Sequence, residues 1–259
     1  MIRRYAGQLE ALYREKNRRC YVDPDPLCAL YRYQDPLDRE IAGIIAASLA
    51  YGNVRQILKS VDAVLGKMGP SPRDYIEKAR HRDFLADFNG FVHRFATGAH
   101  LSAMLSGIRA AIAGHGSLMA CFEAGHTAAD KTYLPVIAAF AEALRNGAPS
   151  DPGHLLPIVS RGSACKRLNL FLRWMVRKDE VDPGDWDALC PARLIIPLDV
   201  HMHRVCMALG FTARKQPNMK TALDITAAFS SIAPDDPVRY DFVLTRRGIR
   251  KEDAFYSFC

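Results

Sequence analysis

Residues 160–206 read SRGSACKRLNLFLRWMVRKDEVDPGDWDALCPARLIIPLDVHMHRVC, and the fold follows from this stretch. Leu168, Phe171, Leu172, Met175 and Val176 recur at i, i+3, i+4, i+7 and i+8, the stripe of a helix with one buried face. Lys166, Asn169, Arg173 and Arg177 fall on its other side, where a basic face is expected. Six basic residues and no acid lie between Ser160 and Lys178. A turn around Gly162 precedes the helix. Residues 179–187 then invert the charge, with five acids around Pro183-Gly184, and read as a solvated connector. The apolar run Leu194-Ile195-Ile196-Pro197 leads to Asp199, which opens a second helix striped by Met202, Val205, Cys206 and Leu209 and ended by Gly210.

The same helical period continues outward. Residues 3–19 form a short amphipathic helix, and Tyr21 to Pro36, with three Asp-Pro pairs, should be extended and turn-rich. Asp35-Pro36 is a helix start, an N-cap carboxylate followed by proline at the first helical position. Leu37, Ile41, Ile44, Ile45 and Leu49, interleaved with alanines, predict a central buried helix that ends near Tyr51-Gly52-Asn53. Further helices are predicted over 54–67, 73–78, 83–95, 101–113, 130–144, 219–232 and 237–245. No alternating run predicts a strand. The fold class is therefore all-α, with two helical lobes. The loop 146–157 divides them into 1–150 and 151–259 within one domain.

Composition bounds the function. The chain has 259 residues and a formal net charge of +7, and its basic residues cluster at Arg3 to Arg19, at 160–178 and at Arg246, Arg247, Arg250 and Lys251. Clustered positive charge favours a polyanionic partner, nucleic acid before others. Seven cysteines, widely spaced and without a CxxC pair, argue against a disulfide framework and against zinc-ribbon or iron–sulfur sites. Without an apolar run of membrane-spanning length or a secretory h-region, a cytoplasmic protein with no membrane partner is expected.

Asp199 on its own is most simply a helix cap, and Lys166 a surface cation. Their surroundings point further. The pattern PLDVHMHRV is similar to the VDTHVxRV signature of the helix-hairpin-helix DNA glycosylase superfamily. Leu198, Asp199, Val200, His201 and Arg204 fall on matching positions. In that superfamily the aspartate caps a helix and faces a flipped nucleotide, and bifunctional members carry a nucleophilic lysine at the start of the second hairpin helix, where Lys166 stands. The Lys166–Asp199 spacing resembles the archaeal 8-oxoguanine DNA glycosylases more than the endonuclease III branch. The stretch GSACKRLNLFLRWMVR with PLDVH also looks like a bacterial family of uncharacterised proteins that matches nearly the whole chain.

The resemblance implies a base-excision repair N-glycosylase, with or without AP-lyase activity, that removes an oxidised purine such as 8-oxoguanine from double-stranded DNA. It implies a helix-hairpin-helix motif, with the hairpin at about 155–178, and a cleft between the two lobes, together with a monomer and no cofactor or metal. The target base must leave the stack, since its glycosidic carbon is unreachable in the duplex. A neutral lysine amine can then attack that carbon and form a Schiff base, while Asp199 stabilises the developing sugar charge. Arg161, Gly162, Ser163, Arg167, Arg173, His201 and Arg204 are the expected DNA contacts, the Arg161–Ala164 turn offering backbone N–H groups to a phosphate. That turn has one glycine where the superfamily's LPGVGRKTA hairpin has two. Tyr51, Asn53 and Gln56 match in place the helix that reads the base. Trp174 and Trp186 are stacking candidates of lesser weight than core positions. Two alternatives stay open: a non-catalytic helix-hairpin-helix module for DNA or structured RNA, and a metal-dependent hydrolase built on Asp199, His201 and His203.

Overall fold

A computed structural model describes residues 2–127 and 130–250, with 246–250 as backbone only. The predicted basic cluster at Arg246, Arg247, Arg250 and Lys251 and the tail FYSFC lie outside the described side chains. In chain order the helices are α1 (Ala6–Lys16), α2 (Pro36–Ser48), α3 (Val54–Met68), α4 (Pro72–Lys78), α5 (His81–Asp87), α6 (Gly98–His115), α7 (Leu118–Glu123), α8 (Leu134–Asn146), α9 (Lys166–Val176), α10 (Val200–Ala208), α11 (Met219–Ser230) and α12 (Asp241–Arg250). Among the described residues the one sheet is a hairpin, β1 (Val92–His93) with β2 (Ala96–Thr97), so the molecule is mainly α-helical. No described helix is long and apolar enough to cross a membrane.

The chain divides into two compact units. Unit 2 is the continuous segment Pro24–Ser160, and unit 1 joins Met1–Asp23 to Arg161–Cys259. The N-terminal helix thus belongs with the C-terminal third of the chain, although sequence order places it ahead of the first lobe.

Unit 2 is organised on α2. Asp35 caps it by accepting the Leu37 N–H at 2.8 Å, and Ile41, Ile44 and Ile45 are fully buried. Its two buried carboxylates start other helices. Asp38 accepts from Ser71 Oγ at 2.7 Å and the Arg73 N–H at 2.8 Å at the head of α4. Glu40 accepts the Leu118 N–H at 2.8 Å and the Met119 N–H at 3.2 Å at the head of α7. A carboxylate is favoured there because a helix N-terminus presents unpaired N–H groups and the positive end of the macrodipole.

Two predictions in this unit are corrected. The extended segment before Pro36 contains a buried 3-10 helix, Pro26–Arg32, capped by Asp25 through the Leu27 N–H at 2.9 Å. The single helix over 83–95 is instead the short α5 followed by the β hairpin. Phe84, Phe88, Phe91 and Phe95 mimic a helical period, but Gly90 at φ +80° breaks it.

Unit 1 is built round a buried charge network, which overturns the solvated connector. Arg173 on α9 and Arg177, which follows its last residue, are 3% and 2% exposed and Asp182 has no exposed surface. Arg173 donates to Asp182 Oδ1 through Nε at 3.2 Å and Nη2 at 3.0 Å, and to Asp241 Oδ2 through Nη1 at 2.5 Å. Arg177 pairs with Asp182, with Asp179 at 2.8 Å and with Asp236 at 3.0 Å. The acids after α9 are the counter-ions that let its arginines be buried, because an unpaired buried charge costs several kcal/mol. The stripe Leu168, Phe171, Leu172, Met175 and Val176 is buried as predicted. Trp174 and Trp186 are core residues, the latter edge-on to Phe171 at 5.2 Å, so neither is available to stack on a base.

Candidate active site

Two helix starts in unit 1 bring the site together. The turn before α9 carries Gly162 at φ +78° and Cys165 at φ +47°, left-handed conformations that reverse the chain within a few residues. Ser163 forms an isolated antiparallel bridge with Asn218, and the Met219 N–H donates to the Gly162 carbonyl at 3.1 Å. Buried Asn169 donates through Nδ2 to the Ala164 carbonyl at 3.0 Å, tying the first turn of α9 to the loop. Cys165 provides no side-chain cap, and Lys166 is the first residue of the helix. Arg161, Gly162 and Ser163 are all exposed.

The second start is reached through the buried run Leu194–Leu198, where the Ile196 N–H donates to Thr226 Oγ1 at 3.0 Å. Asp199 caps α10, its Oδ1 accepting the Met202 N–H at 2.8 Å. Its other oxygen lies 3.7 Å from Lys166 Nζ, with the two side chains 34% (Lys166) and 25% (Asp199) exposed. The two residues singled out from sequence, separated by 33 positions, are therefore an accessible ion pair.

Around this pair His201 and Arg204 are exposed and Arg167 is half-buried. His203 donates its Nε2 proton to the Arg214 carbonyl at 2.8 Å, which removes that nitrogen from any ligand set with Asp199 and His201. Among the described residues no group of three or more His, Cys, Asp or Glu side chains could hold a metal ion.

Residues 25–250 match the model of a family described as proteins of unknown function, DUF2400. The chain belongs to this family. No curated protein and no solved structure matches it. The family match spans Lys166, Asp199 and their supporting helices and leaves out α1, which nonetheless packs within unit 1.

One expected DNA contact is corrected in this family member. Arg173 cannot reach a phosphate, because its guanidinium is buried and held by Asp182 and Asp241. Tyr51, Asn53 and Gln56 fall in unit 2. Tyr51 Oη donates to the His93 carbonyl at 2.9 Å, Asn53 caps α3 through the Arg55 N–H at 2.9 Å, and Gln56 Nε2 reaches Ser60 Oγ at 3.4 Å. Their polar groups therefore already have local partners.

Asp241 was not singled out by sequence. Burial pushes its carboxyl up to about 6 against the pull of Arg173, with Asp199 adding to the rise and Lys166 opposing it. Its Oδ1 has no hydrogen-bond partner among the described residues. It lies 42 positions beyond Asp199 in a segment with no motif, and only its place on α12, packed against α10, couples it to the site.

Proposed function

We propose that this protein is a DNA base-excision N-glycosylase with AP-lyase activity, acting on an oxidised purine such as 8-oxoguanine. The reading rests on one observation, the accessible Lys166–Asp199 pair at 3.7 Å, formed where two helix N-termini meet. Lys166 attacks the anomeric carbon of the flipped nucleotide as the free amine. The C–N bond to the base breaks, and the base leaves with its electron pair and is protonated. Loss of the amine proton and ring opening give a Schiff base, from which β-elimination releases the 3′ phosphate. Asp199 accepts the amine proton and stabilises positive charge on the sugar as the base departs. The exposed turn Arg161-Gly162-Ser163 acts as the hairpin of a helix-hairpin-helix element, with Arg167, His201 and Arg204 as further DNA contacts. The limb before this hairpin is a 3-10 turn, Val159–Arg161, so α9 is its one regular helix.

Borohydride trapping on a duplex containing 8-oxoguanine tests the proposal. A covalent adduct should form with the wild-type protein and vanish in Lys166→Gln. Asp199→Asn should slow base release by roughly a hundredfold or more while leaving DNA affinity in place. A second reading, a non-catalytic binding module, draws on the same ion pair, since a lysine held as ammonium binds phosphate and does not attack. Absence of both adduct and abasic sites over several lesions, with duplex binding retained, would select it.

A further inference from the structure

We propose that the tip of the β1–β2 hairpin, Arg94-Phe95, is a stacking platform for an unpaired nucleobase of DNA. This deepens the proposed function and rests on its nucleic-acid part alone, not on the chemistry at Lys166. The hairpin is firmly seated. His93 and Ala96 face inward with no exposed surface, His93 Nδ1 meets Ser60 Oγ at 2.8 Å, and Tyr51 is edge-on to His93 at 4.6 Å. The two residues between them do the opposite. Phe95 is 73% exposed, the most exposed large apolar side chain described, although burying a phenylalanine favours folding.

The tip also stores strain. Arg94 sits at φ +54°, the first position of a two-residue turn where glycine, asparagine or aspartate is usual. Its guanidinium lies 5.5 Å from the Phe95 ring centre. Its stem crosses Gly52, where a Cβ would come within 2.8 Å of Arg94 Cδ. A folded, positive-φ arginine beside an outward phenylalanine is not what solubility or stability selects, and such strain concentrates at working sites.

Charge names the occupant. Of the segments that build this corner, 41–61 and 88–122 contain no aspartate or glutamate, and Arg55, Lys59 and Arg94 are all exposed. The third segment, whose His154 ring meets Phe95 at 6.3 Å, brings Asp151, which Arg145 holds at 2.7 Å. An aromatic face beside exposed cations, with the neighbouring Asp151 already paired to Arg145, suits a base for the ring and phosphates for the guanidinium and ammonium groups. Paired bases offer only their edges, so the partner is a base already out of its stack.

The test is binding of the full-length protein to a dye-labelled DNA duplex carrying one unpaired adenine, against the fully paired duplex, over a salt series. The wild type should prefer the bulged duplex. Phe95→Ala should bind it on the order of tenfold more weakly, lose the preference, and keep both its salt dependence and its melting temperature. Phe95→Trp should restore affinity and report quenching over the buried Trp174 and Trp186. Arg94→Ala should lower the salt slope by about one. Equal affinity of Phe95→Ala and wild type would overturn the platform while leaving a DNA-binding protein. No DNA binding by the wild type, or Phe95-dependent binding to anionic vesicles instead, would overturn the platform and the nucleic-acid reading together. Phe95-dependent binding with neither a borohydride adduct nor abasic sites would leave the platform standing and remove the glycosylase.

Discussion

Asp182 has no exposed surface and lies between the guanidiniums of Arg173 and Arg177. Replacing it by alanine leaves two buried cations short of a counter-ion, and Asp182→Ala should cost roughly 3–5 kcal/mol in chemical denaturation. A loss under 1 kcal/mol would show that water replaces the carboxylate. Asp241 gives the same network a pH dependence. Its carboxyl stands at about 6 in the folded protein, chiefly through burial, against an ordinary value of 3.8. Between these values the folded state holds a proton that the unfolded state has released. The carboxyl's contribution to stability is therefore complete below about pH 4 and is lost as the pH rises through 6. Asp241→Asn has no proton to lose, so the stability of the wild type relative to this variant should fall from pH 4 to 6.5. A pH-independent difference would place the Asp241 carboxyl outside that window.

Among the elements, the β hairpin makes the sharpest statement about strain. A non-glycine residue in the left-handed region costs roughly 1–2 kcal/mol, so Arg94→Gly should raise thermal stability while weakening binding to a bulged duplex. A lower melting temperature would mean that the guanidinium's contacts outweigh the backbone cost. This hairpin also marks where the sequence ceased to be legible. Helix starts with a capping side chain and a proline or an apolar stripe, such as Asp35-Pro36 and Asp199-Val200, were readable because local chemistry determines them. A four-residue sheet with no Asn-Gly turn has no such local signature, and Phe84, Phe88, Phe91 and Phe95 imitate a helix. The charges of α9 misled for the complementary reason. Amphipathic reasoning sends arginines to solvent, and only tertiary structure places Asp182 and Asp241 beside Arg173. Lys166 and Asp199 could be picked out because each opens a helix next to a distinctive motif, yet their 3.7 Å approach belongs to packing alone.

At the scale of the whole molecule, the discontinuous unit 1 carries the last prediction. Tyr5, Leu9 and Leu12 of the N-terminal segment are buried, with Tyr5 edge-on to Phe211 at 5.8 Å. Tyr13 Oη donates to Asp179 at 2.9 Å, so the segment also touches the charge network, and Arg239 lies over the Tyr13 ring at 4.3 Å. Tyr240 Oη adds a 3.2 Å bond to Glu10. Residues 161–259 alone would leave these apolar partners in water and should form at most a loosely packed helical state, with no cooperative thermal transition. Residues 24–160 lack nothing of their unit, since α2 and the helix starts it caps all lie inside them, and should unfold cooperatively by circular dichroism. Adding a peptide of residues 1–23 to the 161–259 fragment should restore a cooperative transition, with Leu9→Ala and Leu12→Ala in the peptide abolishing the rescue. Cooperative folding of 161–259 without the peptide would show that α1 only covers a core already complete. The proposed catalytic pair, Lys166 and Asp199, would then be separable from the first 23 residues, and borohydride trapping with the fragment alone would be its test.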